Sequence, residues 1–378
     1  MSEDEDAVAQ LLDLARDIFG TPVAALALQR EGERTVVEQA SSALDACATG
    51  RLLDGADLVR GTLGVDVPLP GGGPGGRLLG VPADGREALQ PRQVEALRVV
   101  AALVAGVLHH RERRRAERRG RLASLEAMVA GRGRSTVLQP VVDLRTGLVV
   151  GAEALSRFSG EDGFARAPEQ VFADARSAGA GVRLERAAVR SALQLLPAVP
   201  PGAYLSVNAS AEALLDEETL DVLLGAPRGR VVVEVTEHER VLDYPALAGR
   251  TGALRTAGVR VAVDDAGSGF ASLQHVLHLS PDVVKLDIAF VRGIDADPAR
   301  RAVARALVGF VSEVGATLVA EGVERPAELA VLGDLGVHCA QGYLLGRPAP
   351  PPLLLAAPAA GPGTGSTDTT AVVVRRGA

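Results

Sequence analysis

Seven short apolar runs in the second half of the chain each end in a polar residue able to hold a cation or handle a proton. VVGA precedes Glu153, YLSV precedes Asn208 and VVV precedes Glu234. VAV runs into the adjacent pair Asp264 and Asp265, PDVV into Lys285, LVA into Glu321 and HCA into Gln341. One Glu or Asp after an apolar run reads equally well as a helix cap or first-turn residue. The set does not. Carboxylates gathered without counter-charge repel by about 4 kcal/mol per pair at roughly 4 Å and an effective dielectric of about 20, so the cluster implies bound cations or protonated members. Oxygen donors without His or Cys suit Mg²⁺ or Mn²⁺ rather than zinc. The Asp264–Asp265 pair is placed to hold two ions, which at about 3.5–4 Å apart share an activated water and clamp a phosphodiester for in-line attack.

Two of these positions stand out against composition. Of 40 basic residues 39 are Arg, and the single Lys is Lys285; the single Asn is Asn208. A compact ammonium next to bound water stabilises hydroxide in a way that a broad, permanently charged guanidinium does not. The plainer reading of Lys285 is a surface lysine at a strand end.

The elements that must position these residues alternate β-type and helical patterns over residues 122–350. Strands are expected at 137–144, 148–154, 204–207, 230–235, 259–263, 283–286, 317–320 and 338–341. Amphipathic helices fall between most of them, at 183–196, 211–224, 300–314 and 326–335. The first two strands are separated by a short RTG turn that suits a hairpin, so one strand is expected to run antiparallel. Eight strands in such a span predict an α/β fold, a TIM-type (β/α)8 barrel whose strand ends converge on one face.

Residues 1–108 read as a smaller α/β unit: a helix at 8–19, strand-like VAALALQR, TVVEQASS and RLLGV, and a helix starting near Pro91. This order resembles a GAF-type sensory domain; an unrelated small α/β domain is the alternative. Residues 109–121, with seven Arg and two Glu, read first as a solvated linker helix, and secondly as a contact for nucleic acid or an acidic membrane, without the aromatics that would support the former. The tail 351–378 is rich in Pro, Ala, Gly and Thr and is expected to be disordered. A net charge of −7 argues against a DNA-binding role. Two cysteines without CxxC spacing, Cys47 and Cys339, fit a reducing cytoplasm. The longest apolar stretch, 99–108, is far below the roughly 20 residues a bilayer span requires, so no membrane insertion is expected. The six histidines form no ligand set, and His275 and His278 read as structural.

Taken together, QPVVDLRTGLVVGAEALSRF, LSVNAS, VVEVTEHERV, VAVDDAGSGFASL, PDVVKLD, LVAEGVE and QGYLLGRP resemble, in order, the blocks of EAL domains, including the Glu-Ala-Leu triplet that names them. The resemblance covers essentially all of 122–350. It implies hydrolysis of cyclic di-GMP to linear pGpG with two Mg²⁺ or Mn²⁺ ions. It assigns Glu153, Asn208, Glu234 and Asp264 to one metal, with Asp264 bridging to a second that Asp265 also binds. Glu321 is implied to act on the second metal or its water, Lys285 to orient the nucleophile and Gln341 to fix the water or metal shell. Arg157 and Gln139 are implied to meet substrate, Glu237 to anchor the loop after Asp265 and Glu324 to support the site. The chain departs from the family at Ala266, where most members carry Phe, a change expected to loosen that loop. Two readings follow: an active phosphodiesterase, expected as a homodimer, under control of a signal at the N-terminal domain, or a silent receptor that binds cyclic di-GMP. All expected metal ligands are present, which favours the enzyme.

Overall fold

The computed structural model describes residues 24–30, 33–39, 63–67, 76–80, 91–160, 162–236, 243–266 and 276–351. The chain divides into two compact units, Met1–Arg121 and Leu122–Ala378.

In the first unit, strands β1 (Ala24–Arg30), β2 (Glu33–Gln39), β3 (Leu63–Val67) and β4 (Gly76–Gly80) form an antiparallel sheet of order β2-β1-β4-β3. Strand β3 was not expected from the sequence. The expected helix at 8–19 and the tail 352–378 lie outside the described residues, and the sheet order alone identifies no family, so GAF-type character stays an expectation. Helix α1 (Pro91–Val129) is continuous through the arginine-rich stretch.

The second unit is a closed barrel. Its strands are β5 (Arg134–Asp143), β6 (Val149–Ser159), β8 (Tyr204–Ala209), β9 (Val231–Val235), β10 (Arg260–Ala266), β11 (Val283–Leu286), β12 (Thr317–Ala320) and β13 (Cys339–Ala340), with the short β7 (Ala165–Arg166) paired outside the ring to β6. Neighbours from β6 to β13 pair in parallel. Strand β5 closes the ring antiparallel to both β6 and β13. The expected single antiparallel strand is therefore β5, and the RTG turn makes it so. Asp143 Oδ1 accepts hydrogen bonds from the amides of Arg145 and Thr146 (3.0 and 2.7 Å), and Gly147 takes a positive φ of 72° to re-enter β6.

Helices α2 (Pro168–Ser177), α3 (Gly181–Leu193), α4 (Ala211–Leu215), α5 (Glu217–Leu224), α6 (Tyr244–Ala257), α7 (Ile288–Val291), α8 (Pro298–Val314) and α9 (Pro326–Asp334) accompany the strands. Their limits follow local chemistry. Asp297 accepts from the first helical amides of α8, with Pro298 at the first position, and Gly315 ends the helix at φ 73°. The single helix expected at 211–224 is broken at Asp216, which leaves helical geometry and caps α5 through Thr219. The helix expected at 183–196 ends at Leu193 and continues as a separate turn of 3₁₀ helix, Leu196–Ala198.

Side chains alternate along each strand. One set, with Leu205, Val231, Val233, Val261, Val263, Val284, Leu286, Leu318 and Ala320, packs in the large core that includes helix residues such as Leu247, Leu254 and Val311. The other set points into the lumen. There Val141, Tyr204, Val232, Ala262, Val283, Val319 and Cys339 form a separate apolar cluster. Gly151 is required beside it, because a Cβ at that position would collide with the Tyr204 ring.

Candidate active site

Two residues beyond that apolar layer, on the same face of each strand, the lumen turns polar. Val232 is followed by Glu234, Ala262 by Asp264, Val283 by Lys285, Val319 by Glu321 and Cys339 by Gln341. Period-two alternation thus places these side chains on one level, at the C-terminal ends of the parallel strands. Glu153 and Asn208 join from β6 and β8. Gln139 joins from the antiparallel β5, where it lies opposite Glu153.

Lys285 is the centre. It is 3% exposed, not the surface lysine of the plainer reading. Its Nζ lies 2.8 Å from Glu234, 3.2 Å from Asp264, 3.5 Å from Glu153 and 2.5 Å from Glu321. Side-chain amides tie the ring together: Asn208 donates to Glu153 (2.9 Å), and Gln341 donates to Glu153 (2.6 Å) and to Gln139 (3.0 Å). Gln139 in turn donates to the Gly346 carbonyl at 3.0 Å. The Gln341 Oε1 atom is buried and has no hydrogen-bond partner.

Burial pushes the Glu234 carboxyl up to about 8, helped by the charges of Glu153 and Asp264 and opposed by Lys285. Burial likewise raises Glu321 well above the carboxylate range despite the nearby ammonium. Glu153 goes the other way. Burial resists its ionisation, but the Lys285 charge and the Asn208 and Gln341 hydrogen bonds hold it below its usual value. For Lys285, the desolvation cost is outweighed by the four surrounding carboxylates, which hold the ammonium well above its ordinary value. Four acids sharing one fixed positive charge is an electron-rich arrangement that favours additional cations.

Among the described residues no group of three or more His, Cys, Asp or Glu side chains stands ready to hold an ion. The geometry gives a reason, since the Lys285 ammonium occupies the point toward which the carboxylates turn. Asp265 is described by its backbone only. The β10–β11 register shifts between Val263 and Ala266, so that Asp264 and Asp265 together oppose the single residue Lys285. This is a bulge, a backbone device common beside active sites. Glu237 and the loop 267–275 lie outside the described residues.

A cavity of about 610 Å³ opens beside the ring, lined by Glu153, Arg157, Asn208, Asp264, Phe172 and Tyr343 among others. Arg157 shares its strand face with Glu153 four residues earlier, and its guanidinium donates to the Ser156 carbonyl at 2.9 Å. Glu324 stands away from the ring, in an exposed ion pair with Arg292 at 2.7 Å. His278 stacks on Tyr244, with ring centroids 4.3 Å apart, and joins no ligand set. Two participants escaped the sequence reading. Ser206 donates a 2.5 Å hydrogen bond to Glu234, and strand alternation two residues before Asn208 was the signal that could have found it. Glu185, buried on α3, accepts from the Ser210 amide at 2.7 Å and also lines the cavity; no pattern in the sequence marks it.

A barrel of parallel strands closed by one antiparallel strand, with an acidic ring at its C-terminal mouth, is a TIM-type barrel. The EAL domain model matches residues 122–348, more than half of the chain, and the chain belongs to the EAL domain family. It is 30% identical over 265 residues to an uncharacterized protein of Azorhizobium caulinodans, covering 65% of this chain and 36% of that protein. It is 28% identical to the cyclic di-GMP phosphodiesterase PdeL of Escherichia coli, covering 56% of this chain and 62% of that one. Against the cyclic di-GMP phosphodiesterase PA2567 of Pseudomonas aeruginosa the identity is 30%, covering 59% of this chain and 40% of the relative. The chain therefore spans between about a third and two thirds of the length of these relatives. Among solved structures, the PaMucR phosphodiesterase in complex with c-di-GMP superposes with a TM-score of 0.56 at 28% identity, over 62% of this chain and 99% of that one. An EAL domain protein of Listeria monocytogenes shares the fold, with a TM-score of 0.54 at 23% identity, over 60% of this chain and 92% of that one.

Proposed function

We propose that the chain is a divalent-metal-dependent phosphodiesterase that hydrolyses cyclic di-GMP to linear pGpG. The observation that carries this reading is the ring of Glu153, Glu234, Asp264 and Glu321 around one buried ammonium at the mouth of an EAL barrel. Relatives named as cyclic di-GMP phosphodiesterases, and the c-di-GMP complex of PaMucR, support the choice of substrate.

The residues fit Mg²⁺ or Mn²⁺. The donors are hard oxygens, the ring holds more carboxylates than its one ammonium neutralises, and Gln341 Oε1 is a buried acceptor without a partner. Glu153, Asn208, Glu234 and Asp264 would hold one ion; Asp264 with Asp265 would hold the second, with Glu321 acting on it or on its water. Bound there, the ions would polarise the phosphodiester and lower the pKa of the attacking water.

The remaining work belongs to the chain. Lys285, kept charged by its carboxylates, holds Glu153, Glu234, Asp264 and Glu321 in one cluster and orients the nucleophile. Gln341 fixes Glu153 through Nε2 and leaves Oε1 to accept from a water. Arg157 offers guanidinium donors to a substrate phosphate at the cavity wall, and Gln139 orders the adjoining edge. Water oxygen adds to phosphorus, the P–O3′ bond breaks, and the departing alkoxide takes a proton, which opens the ring to a linear dinucleotide with a 5′-phosphate. Glu237 anchors the loop after Asp265, and Glu324 supports the segment that carries Glu321.

The continuous helix α1 supports extending the proposal to control by the N-terminal unit, as a GAF-type sensory module in a cytoplasmic homodimer. The deciding experiment incubates the purified full chain with Mn²⁺ and cyclic di-GMP and resolves the nucleotides by anion-exchange chromatography. Formation of pGpG that stops on addition of EDTA is the expected result. Tight retention of cyclic di-GMP with no product would instead make the protein a receptor and sink the enzymatic reading.

A further inference from the structure

Arg157, Phe172, Arg176 and Glu185 all line the cavity beside the acidic ring. Each has a chain neighbour on the far side of its wall. Phe158, Val171, Ala175 and Leu184 are buried in one apolar cluster together with Leu125 and Met128, from the last two turns of α1. On β6 the two directions follow from strand alternation, with Arg157 facing the lumen and Phe158 the opposite side. Phe172 itself packs against the cluster, edge-on to Phe158 with ring centroids 5.4 Å apart. This wall of the cavity therefore has its back on α1. The acidic ring is supported differently, since the neighbours of Glu153 and Glu234, namely Ala152, Ala154, Val233 and Val235, pack in the large core.

The seat of α1 is stiff. Leu125 and Met128 stand three residues apart and share one face of the helix, whereas residues 112–123 are exposed. Within the second unit the helix is thus held through its last two turns. The Arg183 guanidinium on α3 donates to both carboxylate oxygens of Glu126, each at 2.8 Å. The helix ends at Val129, and β5 starts at Arg134. Across that short turn Arg134 Nε donates to the Met128 carbonyl at 3.1 Å, and the Ser159 amide donates to the Gly133 carbonyl at 2.8 Å. Gly133 adopts a φ of 67°, and a Cβ there would collide with the Ser159 carbonyl. The turn has no slack to take up a movement of the helix. A change in the pose of α1 passes instead into the side chains packed around Leu125 and Met128, because a close-packed interior transmits strain.

We infer that Leu125 and Met128 are positioning residues: through Phe158 and Phe172 they set the substrate wall of the cavity, so the pose of α1 tunes affinity for cyclic di-GMP and leaves the chemistry at the ring alone. This rests on the reading of the cavity as the cyclic di-GMP site. The test combines steady-state rates of the full chain with Mn²⁺ and equilibrium dialysis against cyclic di-GMP in EDTA. Leu125→Ala and Met128→Ala are expected to raise KM and the dissociation constant about fivefold or more, with kcat per folded molecule within about twofold of wild type. Met128→Leu keeps most of the side-chain volume and restores wild-type values. Leu254→Ala makes the same deletion in the large core, at a residue that does not line the cavity, and should lower the melting temperature without moving KM. Leu125→Val, a smaller deletion, shifts KM in the same direction and decides the matter if the alanine variants do not fold. A fall in kcat at unchanged KM, or a KM shift matched by Leu254→Ala, overturns the proposal. Wild-type protein that neither binds nor cleaves cyclic di-GMP sinks the functional reading and this inference with it. Wild-type binding that the alanine variants leave unchanged sinks this inference alone.

Discussion

The lumen of the barrel holds two neighbouring layers built on the same strands with the same side-chain parity, and they behave as opposites. The lower layer, Val141, Tyr204, Val232, Ala262, Val283, Val319 and Cys339, is a small dry core. The upper layer, only two residues further along the parallel strands, is a knot of carboxylates, amides and one ammonium. The contrast teaches that the lower layer is part of the site. Its apolar floor withholds water from the upper layer, and burial is the largest influence on Glu234, Glu321 and Lys285. The same burial pushes Cys339, in the floor, up to about 12, so its thiol is inert.

Substitutions on the two layers should therefore fail differently. The largest effect is expected for Glu153→Ala in the upper layer. It removes the carboxylate that Asn208, Gln341 and Lys285 all address, and should lower pGpG formation by about a thousandfold or more while the protein stays folded. Initial rates with Mn²⁺ check this, and unchanged turnover would break the assignment of the upper layer to chemistry. Lys285→Met should act on stability as well as rate. Stripping the one ammonium from two buried and two half-buried acids is expected to cost about 3–5 kcal/mol in metal-free protein. Melting curves with EDTA and with Mn²⁺ would show the deficit shrinking when the ion binds.

Val283→Ala in the lower layer should do the reverse, costing about 1–3 kcal/mol by denaturant unfolding while the rate per folded molecule changes little. A rate loss as large as that of Glu153→Ala would erase the distinction between the layers. The smallest effect is expected away from both, at Glu328. This buried carboxylate on α9 accepts from the amides of Gly293, Glu324 and Arg325 and from the Arg325 guanidinium. Burial opposes its ionisation, but these hydrogen bonds hold it below its usual value. A depressed carboxylate stabilises the fold above the ordinary carboxylate pKa and loses that contribution as pH falls through its lowered value. Glu328→Gln should accordingly cost about 1–2 kcal/mol at neutral pH, and the difference from wild type should vanish in acid, as urea titrations across pH would show.

Much of the site was legible before any fold was known, because the alternation that buries a strand also marks its end. Glu153, Asn208, Glu234, Asp264, Lys285, Glu321 and Gln341 each follow a run too apolar to be surface, and all seven meet on one face of the barrel. What escaped were contacts between residues with no shared pattern. Ser206 reads as an ordinary strand serine until the barrel closes and sets it 2.5 Å from Glu234. Glu185 reads as a solvent-facing helix position until α3 packs it beside Ser210. The break at Asp216 was missed because helical periodicity continues through it, while the capping chemistry that stops α4 acts over three residues.

The sequence by itself determined which residues alternate, which turns reverse the chain and which positions carry charge, since these depend on neighbours a few residues apart. The tertiary structure alone decided that Lys285 is an interior cation, that an apolar floor lies beneath the acids, and that β10 bulges at its two aspartates. Those outcomes depend on strands distant in sequence closing into a ring, and only closure excludes the water that would otherwise leave each of these side chains ordinary.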